Sequence, residues 1–167
     1  MESVVERWQA VLALSRQLWA QHRHAAATGN APRVVAFIRP GQNQRLIEAA
    51  SSEDGWTLTV SETLSDLAPA ETARSAVEPV QIILFDRDLP PGNWRETVAS
   101  LTRRSPRPYL ILLSPNSDGN LWDELQRVGG SDILRTPINR ESILQAVRRA
   151  WSVWYGQQRV RRAVQHR

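Results

Sequence analysis

The sequence of 167 residues contains no cysteine and no lysine. Without cysteine, the chain has no disulfide framework, no thiol nucleophile and no cysteine-ligated zinc site. Without lysine, it has no amine for Schiff-base chemistry, and all 21 basic side chains are arginines. The missing cysteines also fit a reducing compartment.

Long hydrophobic runs are missing as well. The first 21 residues carry early acids and are interrupted by polar side chains, which is typical neither of a secretory signal peptide nor of a membrane span. No other stretch is long and apolar enough to cross a bilayer. We therefore expect a cytoplasmic protein without a membrane partner.

Residues for common enzyme chemistry are scarce. The three histidines, His22, His24 and His166, lie in a predicted linker and a terminal tail, away from any candidate nucleophile. The chain contains no glycine-rich nucleotide-binding loop of the dinucleotide or Walker type. We expect a protein that is not a classical enzyme.

The hydrophobic pattern divides the chain into four parts. Residues 1–27 are predicted as an N-terminal helix, 28–33 as a linker, 34–156 as one α/β domain and 157–167 as a basic C-terminal tail. The N-terminal helix has a wide apolar stripe, made of Val4, Val5, Trp8, Val11, Leu12, Leu18 and Trp19.

Strand and helix patterns alternate within the α/β domain. Short apolar runs predict strands at 34–38, 56–60, 82–85, 109–114 and 132–135. Helices are predicted at 43–52, at 62–77, and after the capping residues Asn93, Asn120 and Asn139. Because strands this apolar are buried on both faces, the fold class is α/β. We expect a five-stranded parallel sheet, doubly wound as (βα)5 and flavodoxin-like, with an added N-terminal helix and an extended C-terminal helix.

Polar residues follow three of the predicted strands. Asp86 ends the run IILFD, Ser114 ends YLILLS, and Thr136 follows DILR. In parallel sheets, ligands bind beyond the carboxyl ends of the strands, so these three side chains are expected to converge on one pocket.

The order and spacing of these residues resemble the receiver domain of bacterial two-component response regulators, of the chemotaxis type. The resemblance covers residues 33–155 and includes Asp86, with Pro90 four residues later, Ser114 and Thr136–Pro137. It implies that Asp86 is at the position that accepts a phosphoryl group from a histidine kinase. It also implies that the Ser114 hydroxyl bonds that group, and that the Thr136–Pro137 peptide bond is cis.

The chain departs from the receiver pattern at the other pocket positions. Ile38 and Arg39 stand where the family has an acidic pair that binds magnesium, and Thr136 replaces a lysine before Pro137. Ile133 stands at the position of an aromatic switch residue. The pocket is therefore interpreted as degenerate, with no cofactor expected. Magnesium binding is expected only if Asp86 and Asp88 suffice as its carboxylate ligands.

Two interpretations of Asp86 follow. In one, it is a phosphoacceptor. In the other, it is a structural carboxylate paired with Arg39, which replaces the missing cation and fixes the domain in one state. Phosphoryl transfer requires neutralisation of charge in the transition state, so the second interpretation is preferred.

The terminal helices offer two further surfaces. Trp8, Trp19, Trp151 and Trp154 are predicted to form an interaction surface for a homodimer or another protein, with packing of the N-terminal helix on the last helix as the alternative. Residues 140–167 hold seven arginines and one acid, a charge of +6 against −2 for the other 139 residues. This basic end is interpreted as a solvated helix face, and no nucleic-acid partner is expected because no DNA-reading module follows it.

The sequence thus predicts a degenerate receiver-like signalling module, a pseudo-receiver, that acts by protein–protein interaction or dimerisation. One alternative is a true phosphoacceptor response regulator that uses Asp86 and a histidine kinase. Another is an accessory nucleic-acid-binding regulator that uses the basic tail.

Overall fold

A computed structural model describes residues 31–63, 79–90 and 92–165 of the chain. Its strands are β1 (Arg33–Phe37), β2 (Thr57–Ser61), β3 (Ile82–Asp86), β4 (Tyr109–Ser114) and β5 (Asp132–Arg135). Its helices are α1 (Gln42–Asp54), α2 (Trp94–Thr102), α3 (Gly119–Arg127) and α4 (Arg140–Gln165). The predicted helix at 1–27, with Trp8 and Trp19, lies outside the described residues, and so do residues 64–77 of the helix predicted at 62–77. Its first two residues, Glu62 and Thr63, are described and are not helical.

The five strands form one parallel sheet in the order β2-β1-β3-β4-β5. This confirms the predicted flavodoxin-like α/β fold. All five β3 residues are buried, because helices cover both faces of the sheet at its centre. The bounds of β1 and β2 are each displaced by one residue from the predicted ones, and β3 extends one residue further than predicted, to Asp86.

Alternation along the strands divides the core in two. In β3, Ile82 and Leu84 point to the face covered by α1 and α4, whereas Ile83 and Phe85 point to the face covered by α2 and α3. Each face has its own apolar cluster, so each strand residue belongs to one defined face of the sheet. Asp86, the last residue of β3, lies at the end of the strand, where both apolar clusters end.

Helix starts confirm two predicted caps and correct a third. The side chains of Asn93 and Asn139 accept hydrogen bonds from the backbone N–H groups of Glu96 and Ser142. The prediction that Asn120 caps α3 is wrong. Asp118 takes this position, because its carboxylate accepts from the N–H of Leu121 at 2.8 Å.

The last helix, α4, is the longest described element, with 26 residues. At 1.5 Å per residue it is about 39 Å long, roughly twice the length of the strands it covers. Its distal half therefore extends past the amino-terminal edge of the sheet. Among the described residues, no helix is both long and apolar enough to cross a membrane.

The tryptophans of α4 belong to the core. Trp151 is 2% exposed and Trp154 is also buried, and their rings stack with centroids 5.7 Å apart. The Trp154 indole N–H donates to the backbone oxygen of Arg107 at 3.1 Å, next to the start of β4. These two rings hold α4 against the sheet, and their predicted role in contact with a partner stays a prediction.

Candidate functional site

The candidate site lies at the carboxyl-terminal edge of the sheet, where β1 and β3 are neighbours. Arg39, two residues after β1, reaches across to Asp86 at the end of β3. Its Nε donates to Asp86 Oδ2 at 2.7 Å, and its Nη2 donates to Asp86 Oδ1 at 3.2 Å. The predicted pair of Arg39 and Asp86 is thus present as a two-point, charge-assisted contact.

The Asp86 carboxylate also has a local backbone partner. The N–H of Asp88 donates to Asp86 Oδ1 at 3.0 Å, and the N–H of Leu89 donates to the Asp86 carbonyl at 3.1 Å. The turn after β3 therefore binds one oxygen of the carboxylate, and Arg39 binds both. Both oxygens of Asp86 have donors.

The second carboxylate, Asp88, joins the same group from the solvent side. Its Oδ2 is 3.6 Å from Arg39 Nη2, and its side chain is 51% exposed, against 12% for Asp86. One guanidinium thus faces two carboxylates. The hydrogen bond to Asp86 is the main cause that raises the pKa of Arg39, with attraction to Asp86 and Asp88 adding to it, so Arg39 stays charged.

The Ser114 hydroxyl lies at the end of the adjacent strand, β4, and is fully buried. Its Oγ accepts from the N–H of Asn116 at 3.2 Å and from Arg87 Nη1 at a long 3.4 Å. Its carbonyl accepts from the N–H of Thr136 at 2.9 Å. The Ser114 hydroxyl oxygen thus has two donors, and the side chain does not contact solvent because it is fully buried.

Arg87 is the residue of this site that sequence reasoning missed. Its backbone N–H donates to the Leu113 carbonyl at 3.0 Å, and its guanidinium approaches Ser114. The signal for it was available, since an arginine directly after Asp86 in a parallel sheet lies beside the end of β4. The site therefore carries two cations, on Arg39 and Arg87.

The other predicted pocket positions are structural. Ile38 is buried in the cluster below α1 and α4, and Ile133 packs against the cluster below α2 and α3. The Thr136–Pro137 peptide bond is cis, as predicted, and Ser105–Pro106 is a second cis bond that was not predicted. Thr136 brings its backbone N–H, and no cation, to the end of β4.

These residues do not fit a magnesium ion. Magnesium prefers several oxygen ligands in octahedral geometry, and the position before Arg39 is an isoleucine buried in the core. Both available carboxylates, Asp86 and Asp88, face the same guanidinium. Within the described residues there is no cluster of three or more histidine, aspartate or glutamate side chains placed to hold a metal.

No family model matches the chain, and no curated protein matches its sequence. Solved structures match its shape. The chemotaxis protein CheY4 of Vibrio cholerae aligns with TM-score 0.61 at 20% identity, over 72% of this chain and 98% of the other. The fold is that of a response-regulator receiver domain.

Two further solved structures with the receiver fold are similar to this chain. A response regulator from Thermotoga maritima aligns with TM-score 0.62 at 15% identity, over 73% of this chain and 98% of its own. A CheY-like receiver domain protein from Methanospirillum hungatei aligns with TM-score 0.65 at 15% identity, over 77% and 99%. The receiver fold places Asp86 and Ser114 at the ends of two adjacent central strands, as the sequence resemblance implied.

The geometry of the Arg39–Asp86 pair predicts that a substitution of Arg39 lowers the free energy of unfolding more than a substitution of Asp86 does. Arg39→Met leaves a mostly buried carboxylate without its cation, so we expect a loss of about 2 kcal/mol in the free energy of unfolding. Asp86→Asn keeps the acceptor for the Asp88 N–H and leaves an arginine that water reaches, so we expect about 1 kcal/mol or less. Urea denaturation of both single variants and the double variant measures the coupling. Equal losses with no coupling would contradict a structural pair.

Proposed function

We propose that this protein is a receiver-fold signalling module of the cytoplasm that acts by contact with other proteins, and that Asp86 is a structural carboxylate in it. The observation that carries the proposal is the two-point contact between Arg39 and Asp86. In this arrangement the guanidinium bonds both carboxylate oxygens, which a phosphoryl acceptor would use for attack and for binding a metal. The module is then not an enzyme and needs no kinase.

The surroundings of the pair support the same proposal. Phosphoryl transfer to a carboxylate needs metal and cation charge around the transferring oxygens. The donor set here lacks the acidic pair for a metal, and the Ser114 hydroxyl is buried with two donors on its oxygen. The ion pair Arg95–Glu124 also ties α2 to α3, the two helices on one face of the sheet. A domain held at these points presents one stable surface to a partner.

A magnesium and beryllofluoride titration, observed by NMR, tests the proposal. Beryllofluoride with magnesium mimics a phosphoryl group on an aspartate, so a competent site responds at the loop after β3 and at the end of β4. We expect no saturable change in the amide signals of residues 86–90 and 114, because Arg39 holds the carboxylate. Saturable shifts at those amides would establish the alternative, a phosphoacceptor at Asp86.

Light scattering tests whether the protein acts as a homodimer. If the module acts as a homodimer, the mass at high protein concentration is twice 18.9 kDa. A single mass of one chain at every concentration would leave another protein as the partner. This measurement does not depend on the state of Asp86.

A further inference from the structure

The exposed large hydrophobic side chains of the described residues lie on one face of α4. They are three valines, Val153, Val160 and Val164, which are 39%, 65% and 70% exposed. They follow each other at intervals of seven and four residues, so they form one row on the helix. The row is about 16 Å long at 1.5 Å per residue. Such a row is typical of a helix face that packs against another element.

This row borders an open groove at the amino-terminal edge of the sheet. The groove has a volume of about 920 Å³, and the surface that lines it is mainly apolar. On the α4 side it is lined by Val153, Gly156 and Val160, at positions i, i+3 and i+7. On the other side it is lined by residues 107–109, where β4 begins, and by Ser131 before β5. The groove is thus at the opposite edge of the sheet from the candidate site.

Gly156 leaves a gap in the middle of the α4 wall. Glycine lowers the stability of a helix interior more than any residue except proline, so its presence in α4 needs a physical reason. The fold supplies none, because Gly156 has no positive φ and a Cβ added to it would meet no neighbouring atom within 4 Å. A glycine on an open helix face lets the backbone of a second helix approach closely. The gap therefore favours a helix as the occupant of the groove.

The charge around the groove selects the chemistry of that helix. From residue 142 to the end of the chain there are six arginines and no acidic residue. Arg148 and Arg149 form ion pairs within the domain. Arg161, which lines the groove, has no carboxylate partner among the described residues. Its charge is available to a carboxylate of another molecule.

We propose that an acidic amphipathic helix of another protein docks in this groove, with small apolar side chains over Gly156 and carboxylates beside Arg161. This docking rests on the proposed function, in which the module acts by contact with other proteins. A second copy packed through its own α4 fits less well, because the arginines of the two helices would face each other. A nucleic acid would pair its phosphates with the arginines but would leave the row of valines uncovered.

A designed peptide tests this docking on the full chain. The probe is a fluorescein-labelled, amidated peptide of about 18 residues, since shorter helices are marginal in water. It carries alanine and leucine on one helix face and glutamate on the opposite face. We expect saturable binding by fluorescence anisotropy, and at least about tenfold weaker binding of a peptide with the same composition in scrambled order. Equal binding of the two peptides, or binding of neither, would overturn the proposal.

Two arginines of α4 provide a matched pair of variants for the contribution of charge. Arg161 lines this groove, whereas Arg159 lines the groove on the other side of the helix. Arg161→Glu and Arg159→Glu change the net charge equally. We expect Arg161→Glu to weaken peptide binding at least about tenfold and Arg159→Glu to weaken it less than about threefold. Equal losses would assign the binding to general attraction by the basic helix and would contradict docking in this groove.

Gly156→Leu tests the apolar contact without a change of charge. The added side chain has open space within the domain and a higher helix propensity, so the variant should fold, which circular dichroism verifies. We expect it to fill the groove and to weaken peptide binding at least about tenfold. Gln158→Leu places the same side chain on the other side of α4 and should preserve the affinity. Full affinity of Gly156→Leu would contradict the proposal.

The other occupants of the groove give different results with the same variant. A dimer in light scattering that Gly156→Leu dissociates would assign the groove to a second copy. Duplex DNA that binds more tightly than the peptide, and less tightly to Gly156→Leu, would assign it to a nucleic acid. Either result would overturn the proposal. None of these measurements depends on the state of Asp86, so the loss of this docking site would leave the proposed function in place.

Discussion

Arg39→Asp should create a magnesium site at the carboxyl edge of the sheet. The substitution removes the guanidinium that neutralises Asp86 and Asp88 and adds a third carboxylate beside them. The summed formal charge of residues 39, 86 and 88 changes from −1 to −3, and hard cations favour clustered carboxylates. We expect the affinity for magnesium to rise by at least about tenfold, which corresponds to about 1.4 kcal/mol. Isothermal titration calorimetry of the natural and variant proteins measures it.

Two variants separate metal binding from general effects of charge. Arg39→Gln removes the cation without adding a carboxylate, so it should bind magnesium more weakly than Arg39→Asp. Asp86→Asn in the Arg39→Asp background should remove most of the gain. The explanation by Arg39 would be wrong if the natural protein bound magnesium as tightly as Arg39→Asp does.

The same variant should also depend on metal for its stability. Three carboxylates in one place repel each other, so Arg39→Asp lowers the free energy of unfolding without metal, and added magnesium restores it by binding the folded state alone. The natural protein should unfold at nearly the same temperature with and without magnesium. Thermal unfolding by circular dichroism shows this difference directly.

Trp151→Ala should cost the most stability of any single change considered for this chain, about 3–5 kcal/mol in the free energy of unfolding. Trp151 is almost fully buried, stacks on Trp154 and contacts Tyr155, with ring centroids 5.7 and 5.6 Å away. Removing the indole leaves a cavity between α4 and the sheet that neighbouring rings fill only in part. Urea denaturation at neutral pH measures the change.

Val160→Ala is the matched control on the same helix. Val160 is 65% exposed, so its truncation should change the free energy of unfolding by no more than about 0.5 kcal/mol. If Trp151→Ala unfolds the protein entirely, Trp151→Phe gives a graded loss that remains measurable. A Trp151→Ala protein as stable as Val160→Ala would contradict the place of Trp151 in the core.

The candidate site shows which contacts can be predicted from the sequence and which cannot. Asp86 and Arg39 follow two apolar runs, and parallel strands bring their carboxyl ends to one edge of the sheet, so their pairing was predictable. Arg87 was missed although its position after Asp86 places it beside the end of β4, and only its contact with Ser114 depends on how the turn after β3 directs the long side chain.

Helix boundaries give a second example. Asn93 and Asn139 were recognised as caps because each precedes a clear helical pattern. In the segment PNSDGN, several residues are suitable caps, and the choice of Asp118 over Asn120 depends on where the chain leaves β4. Local sequence offers the candidates, and the path of the backbone selects one.

The sequence by itself determined the class of fold, the strand order along the chain and the residues, Ile38, Arg39 and Thr136, that stand where the receiver pattern has an acidic pair and a lysine. These properties depend on residue identity and on short-range periodicity, which are present in the chain before it folds. Only the tertiary structure decided that Arg39 donates two hydrogen bonds to Asp86, that Ser114 is buried, and that Trp151 and Trp154 face the sheet. Those outcomes depend on distances between residues far apart in the chain, and packing alone fixes such distances.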